Sequence, residues 1–215
     1  IVVIGSGVIG HSIAFRLKQD NPHLKIAVLG DPVNSLQASR AAAGMLAPFC
    51  ECDKADQFFR FCRDSLDKFP LFLEELVSVS EVPVHFSIAG SLMPSSNYRD
   101  TWEERKAFFT REDIPHEIWS MDKVRQKAPY LAQDCGEVMW VGEGQVNNRQ
   151  MHDSLMQASR KLEIHVLEAN VSGFIRKDST IASAVTDSGN IAGEKFVLAS
   201  GSWSSQLARV LEVSI

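Results

Sequence analysis

The 215 residues are 45% hydrophobic and 23% charged, with a formal net charge of −5, a composition that excludes disorder and suits one large globular domain or two small ones. Without a basic run or an aromatic-basic alternation, neither nucleic acid nor an anionic membrane surface is expected as a partner. No apolar run reaches the roughly 20 residues that span a bilayer, so no membrane segment is expected.

The opening residues 1–4, Ile-Val-Val-Ile, read as a buried parallel strand. Gly5, Gly7 and Gly10 follow as G-x-G-x-x-G, and Ile13, Ala14 and Leu17 recur at helical spacing, which makes a strand, a tight turn and a helix. In this pattern the first glycine permits the sharp turn, the second lets backbone approach a pyrophosphate, and the third lets the helix pack on the strand. The unpaired N–H groups and the dipole at the helix start favour the negative charge. LKIAVLGD then supplies a second strand ending in Asp31, about 20 residues beyond Gly10, where dinucleotide folds place an acid on a ribose hydroxyl. Dinucleotide binding is the expectation; the alternative is a glycine-containing turn that binds nothing.

Residues 35–40 read as a loop or short turn. Within ASRAAAGMLAPFCE, residues 38–51, three alanines favour helix, Gly44 removes a side chain where something comes close, and Pro48 stops any helix. Two readings stay open: a short packed helix with a glycine contact, or a small-residue segment that lets backbone approach a flat cofactor ring. The four cysteines, Cys50, Cys52, Cys62 and Cys135, lack the spacing of common zinc or thioredoxin-like motifs, so reduced structural thiols, no metal and a cytoplasmic location are expected.

Residues 53–79 carry an apolar stripe rich in phenylalanine, expected as core of one long amphipathic helix or of two joined near Pro70. VPVHFSIAGSLMP reads as a hairpin of two short strands around Ala89-Gly90. A charged helix over 97–111, a short helix in MDKVRQKAP and a strand at 137–141 come next, and Gly142 and Gly144 read as a turn. The remainder alternates a helix at 151–162, strands at 164–167, 171–175, 181–185 and 196–199, the Gly201 break and a helix at 203–211. His11, His85, His116, His152 and His165 show no partner pattern and read as surface or packed histidines.

More than a hundred residues containing a hairpin separate Asp31 from the strand at 164, whereas a nicotinamide dehydrogenase follows its second strand with a helix and the third parallel strand. A nicotinamide enzyme is therefore disfavoured. The expected fold is α/β: an FAD-binding Rossmann-like domain of residues 1–80 and 147–215, with residues 81–146 forming part of an inserted α+β substrate domain.

The combination of IVVIGSGVIG, AAAGMLAP with Glu51 shortly after, GEGQVNNRQMHDSL and VLASGSWS resembles the FAD-dependent D-amino acid oxidase superfamily, and within it the glycine oxidase branch of the thiamine pathway. The resemblance implies a noncovalent FAD. Gly5, Gly7, Val8, Ile9 and Gly10 would contact the pyrophosphate region, Asp31 or the backbone at Gly30 the adenosine ribose, and Ser39 and Arg40 would lie near the pyrophosphate. Ala43, Gly44 and Met45 would sit beside the isoalloxazine, Val171 would meet the adenine through its backbone, and Gly201 would pack close to the cofactor. Met45 would also face substrate, and Glu51 would stand near the entrance. Family members run well beyond this length, and the residues that clamp the substrate carboxylate belong to a C-terminal half expected to be missing here, so no catalytic residue is assigned. The implied reaction is oxidation of the C–N bond of glycine, sarcosine or a small D-amino acid by hydride transfer to flavin N5, with oxygen as acceptor and hydrogen peroxide as product. A D-amino acid dehydrogenase with another acceptor and a non-catalytic nucleotide-binding fragment are the alternatives, and homo-oligomerisation is left open.

Overall fold

A computed structural model of the chain describes residues 1–31 and 37–213; the start of the turn expected at 35–40 falls outside them. In chain order the elements are β1 (Val2–Ile4), α1 (Val8–Asp20), β2 (Ala27–Leu29), α2 (Ala38–Ala41), β3 (Met45–Leu46), α3 (Gln57–Ser80), β4 (Phe86–Ser87) and β5 (Ser91–Pro94). There follow α4 (Trp102–Arg111), β6 (His116–Trp119), α5 (Met121–Lys127), β7 (Val138–Val141), β8 (Gly144–Val146) and α6 (Asn148–Lys161). The chain then forms β9 (His165–Leu167), β10 (Val171–Lys177), β11 (Thr180–Thr186), β12 (Gly189–Ala192), β13 (Phe196–Leu198) and α7 (Ser204–Val210).

Two compact units result. The first comprises Ile1–Ala43, Glu74–Val84 and Asn148–Ile215, the second Gly44–Leu73 and His85–Asn147. Residues 44–73, which the sequence reading placed in the first domain, pack with the second unit.

The first unit is built on a parallel sheet of order β13-β1-β2-β9. Alternation along β1 sends Val2 and Ile4 to one face, with Leu29, Ala184 and Leu207, and Val3 to the other, with Ala14, Val28 and Ile164. Both faces of a parallel sheet are covered, which is why its strands read as unbroken apolar runs. An antiparallel sheet of order β10-β11-β12 completes this unit. The chain leaves β1 for β2 on one side, while β13 returns on the other, so the order reverses beside β1. Open α/β sheets bind ligands at such a point, beyond the carboxyl ends of the strands.

The second unit holds two three-stranded sheets, of order β3-β8-β4 and β5-β7-β6, around a core containing Phe49, Phe59, Phe108, Phe109 and Met139. The hairpin expected from VPVHFSIAGSLMP does not form. Its halves become β4 and β5, but β4 pairs with β8 and β5 with β7. Gly90 turns the chain between them at φ 85°, with no room for a side chain against the Trp140 ring. Helix α3 is one continuous element through Pro70. The phenylalanine stripe is core only in part: Phe59 is buried, whereas Phe58 and Phe61 are exposed.

Candidate functional site

Five segments of the first unit converge on the turn between β1 and α1. The three glycines of that turn do different work. Gly5 takes φ 120°, and a Cβ there would lie 2.1 Å from the Ala199 carbonyl oxygen at the end of β13. At Gly10 a Cβ would lie 1.9 Å from the Gly5 carbonyl oxygen, so this glycine lets α1 close down on the turn. Gly7, at φ −80°, is in a conformation open to any residue, and its missing side chain faces only the Ser39 hydroxyl, 2.9 Å from an ideal Cβ. Gly7 thus meets the end of a side chain where Gly5 and Gly10 meet backbone.

Gly7 caps α1 without any side-chain hydrogen bond, and Ile9 in the first turn is 62% exposed. The first turn of this 13-residue helix is exposed on its Ile9 side, and the backbone N–H groups and dipole of a helix start favour an anion there. Ser39 accepts the Val8 N–H at 2.9 Å through its Oγ, and its own hydroxyl proton remains free to be directed at an oxygen acceptor. Asn148 holds the Ser39 carbonyl at 2.9 Å, which fixes α2 against α6. At the end of β2, Gly30 takes φ 148° and passes so close to Ser6 that a Cβ would meet its Oγ at 2.7 Å. Gln37 donates to the Ser6 hydroxyl at 3.1 Å and to the Asp31 carbonyl, tying the second strand's exit to the turn. Gly201, after β13, takes φ 56° with open space around it. Val171 begins β10, opposite Thr186.

A glycine turn whose Gly7 meets only a side-chain hydroxyl, and a helix start with an exposed first turn, suit a pyrophosphate, and they stand at the reversal point of the sheet. The residues present therefore fit a dinucleotide cofactor. Among the described residues no group of three or more His, Cys, Asp or Glu is placed to hold a metal ion.

Two of the histidines expected as surface or packed residues are packed. His11 of α1 and His152 of α6 are fully buried, and their rings meet edge to face at 5.7 Å. His11 Nδ1 lies 3.0 Å from the Ser159 hydroxyl, and His152 Nε2 lies 3.0 Å from the Ser6 carbonyl oxygen in the glycine turn. Arg40, expected near a pyrophosphate, extends its guanidinium to α6, 3.5 Å from His152 Nδ1 and 3.4 Å from Asp153.

Burial, reinforced by the neighbouring His152, lowers the His11 pKa from 6.5 to about 4. A histidine that must stay neutral in the fold while the unfolded chain is free to charge it leaves stability intact above pH 6.5. That stability is lost as the pH falls from 6.5 towards 4. The expected loss at the acid end is about 3 kcal/mol, at 1.36 kcal/mol per pKa unit. Urea unfolding of wild type and His11→Asn at pH 7.5 and pH 4 checks it: the pH dependence should be smaller in the variant.

In the second unit, β3 pairs with β8, placing Met45 opposite Gln145, and the Val146 N–H donates to the Gly44 carbonyl at 2.9 Å. Met45 is 65% exposed. The segment that follows is held by Glu143, which sequence reading passed over as part of a turn. Its side chain is buried, and Oε1 accepts the N–H groups of both Phe49 and Cys50 at 2.7 Å. Glu51 comes next and is exposed. Burial pushes the Cys50 thiol well above its usual range, with Glu143 acting in the same direction, so it stays a thiol.

The fold and the turn together define an α/β dinucleotide-binding protein. A family model described as DAO, FAD dependent oxidoreductase, matches residues 1–215, and the chain belongs to this family, whose cofactor is FAD. It is similar to the glycine oxidase of Bacillus subtilis, at 26% identity over 98% of this chain and 56% of the relative. It also resembles the bifunctional protein ThiO/ThiG of a Synechocystis strain, at 27% identity over 96% of this chain and 30% of the relative. The crystal structure of glycine oxidase from Geobacillus kaustophilus shares the fold with a TM-score of 0.90 at 23% identity, covering 100% of this chain and 58% of that one. The chain thus spans a little over half the length of the glycine oxidases it matches. No helix among the described residues is long and apolar enough to cross a membrane.

Proposed function

We propose that the protein of which these residues are part oxidises the C–N bond of a small amine, namely glycine, sarcosine or a small D-amino acid, to an imine. FAD would supply the chemistry by taking hydride at flavin N5 and passing the electrons to oxygen, with hydrogen peroxide formed. The observation that carries this reading is the Gly5-Gly7-Gly10 turn at the start of α1, where Gly7 meets only the Ser39 side chain, in a chain of this family similar to glycine oxidases.

Within it, Gly5, Gly7, Val8, Ile9, Gly10 and Ser39 bind the pyrophosphate, Gly30 or Asp31 the ribose, and Val171 the adenine. Arg40 acts beside the pyrophosphate through the contacts it makes to α6, and Gly201 leaves room for the cofactor. Ala43, Gly44 and Met45 serve the flavin ring, with Met45 and Glu51 on the substrate side. A cytoplasmic location completes this reading.

The test is anaerobic addition of glycine, sarcosine or D-alanine to the flavin-loaded full chain. Bleaching of the flavin bands, with peroxide on readmission of air, is expected. Bleaching without peroxide would make it a dehydrogenase, and no bleaching with any of these amines would overturn the substrate assignment.

The Gly7→Val variant separates binding from folding. Its φ suits valine and its Cβ meets only the end of the Ser39 side chain, so the fold should survive while backbone approach to the pyrophosphate is blocked. An FAD affinity lowered by about 100-fold or more, equivalent to about 2.7 kcal/mol, is expected in a titration followed by flavin fluorescence. Unchanged retention of flavin would remove the turn from the site.

A further inference from the structure

The buried His152 has no part in the proposed chemistry, yet it touches the glycine turn directly. The Ser6 carbonyl oxygen can only accept, so His152 Nε2, 3.0 Å away, carries the proton and donates. In the neutral ring Nδ1 then holds a lone pair, and it faces Arg40 Nη1, a group that can only donate, at 3.5 Å. His11 packs on the ring edge, and Asp153 shares the Arg40 guanidinium. One imidazole therefore joins the glycine turn to the Ser39-Arg40 segment.

The connection has a consequence for the anion site. A trans peptide points its C=O and N–H in opposite directions, and Ser6 C=O shares its peptide with Gly7 N–H. Holding the carbonyl on His152 turns the Gly7 N–H away from α6, the direction from which backbone can meet a phosphate oxygen. Without a donor at position 152 this buried carbonyl would lack its partner and the peptide would be free to rotate.

We propose that His152 is a positioning residue for the pyrophosphate of the cofactor: it fixes the orientation of the Ser6-Gly7 peptide and, through Arg40, the place of the Ser39 segment. This rests on the flavin reading above. The titratable and charged groups seen at this ring among the described residues are His11 against its edge and Arg40 with its partner Asp153, and all three enter the test unchanged.

The experiment compares binding of FAD, ADP and adenosine to wild type, His152→Leu and His152→Gln, with circular dichroism and thermal unfolding as checks of fold. FAD and ADP should bind His152→Leu about tenfold or more weakly, equivalent to about 1.4 kcal/mol, while adenosine, which has no phosphate, should change by less than about twofold. His152→Gln, whose Nε2 can reach the same carbonyl, should return ADP affinity to within about threefold of wild type. A role in packing alone would weaken ADP and adenosine together and would overturn the inference, as would wild-type ADP affinity in folded His152→Leu. Should the leucine variant not fold, a tenfold loss of ADP by folded His152→Gln overturns it. If wild type binds neither FAD nor ADP, the flavin reading itself fails; wild-type binding with an insensitive His152 removes this inference alone.

Discussion

A Gly10→Val chain is expected to lose the packing of α1 and the flavin together. The added Cβ would fall 1.9 Å from the Gly5 carbonyl oxygen and 3.4 Å from the Val3 side chain, and neither the backbone oxygen nor the buried strand can yield without moving the helix. Overpacking in a close-packed core costs about 1–3 kcal/mol where side chains can shift, and more where backbone must. The expected result is a loss of at least about 3 kcal/mol in urea unfolding, together with failure to retain FAD. Gly7→Val, by contrast, should lose FAD at nearly constant stability. If Gly10→Val unfolds at the same urea concentration as wild type, α1 does not depend on that close approach.

The second large effect is expected at Glu143. Replacing it with leucine leaves the Phe49 and Cys50 N–H groups, both held at 2.7 Å, without their acceptor. Each orphaned buried donor costs about 1–3 kcal/mol, so a destabilisation of about 3 kcal/mol or more is expected for Glu143→Leu. Glu143→Gln keeps an oxygen in the same place and should cost about 1 kcal/mol. Urea unfolding of both variants distinguishes the two roles. Equal losses would show that the hydrogen bonds to Phe49 and Cys50 are not what the side chain contributes.

These two residues also mark how far the sequence could be read. Gly10 was legible because the strand, turn and helix around it are a local pattern, in which three glycines and the apolar spacing of α1 determine one another. The same holds for β2, where Val28 and Leu29 are buried within an unbroken apolar run, whereas β9 at the sheet edge leaves His165 and Leu167 exposed. Glu143 was not legible. A glutamate between two glycines is the composition of an exposed turn, and its acceptor role depends on Phe49 and Cys50, more than ninety residues away. The false hairpin has the same origin: β4 and β5 carry genuine strand signals, but the strands they pair with, β8 and β7, lie about fifty residues downstream, a choice that no turn signal encodes. His11 and His152 are separated by 141 positions and meet only because α1 and α6 pack together. Long-range pairing of polar groups decides what a buried polar side chain does, and sequence spacing carries no record of it.

The central claim is that the first unit holds FAD through the turn at Gly5, Gly7 and Gly10. The most direct measurement is the visible absorption spectrum of the purified full chain after incubation with FAD and removal of free flavin by gel filtration, beside Gly7→Val treated identically. A stoichiometric oxidised-flavin spectrum in wild type and a colourless, folded Gly7→Val is the predicted result. A colourless wild type, or a variant that retains as much flavin as wild type, would contradict it.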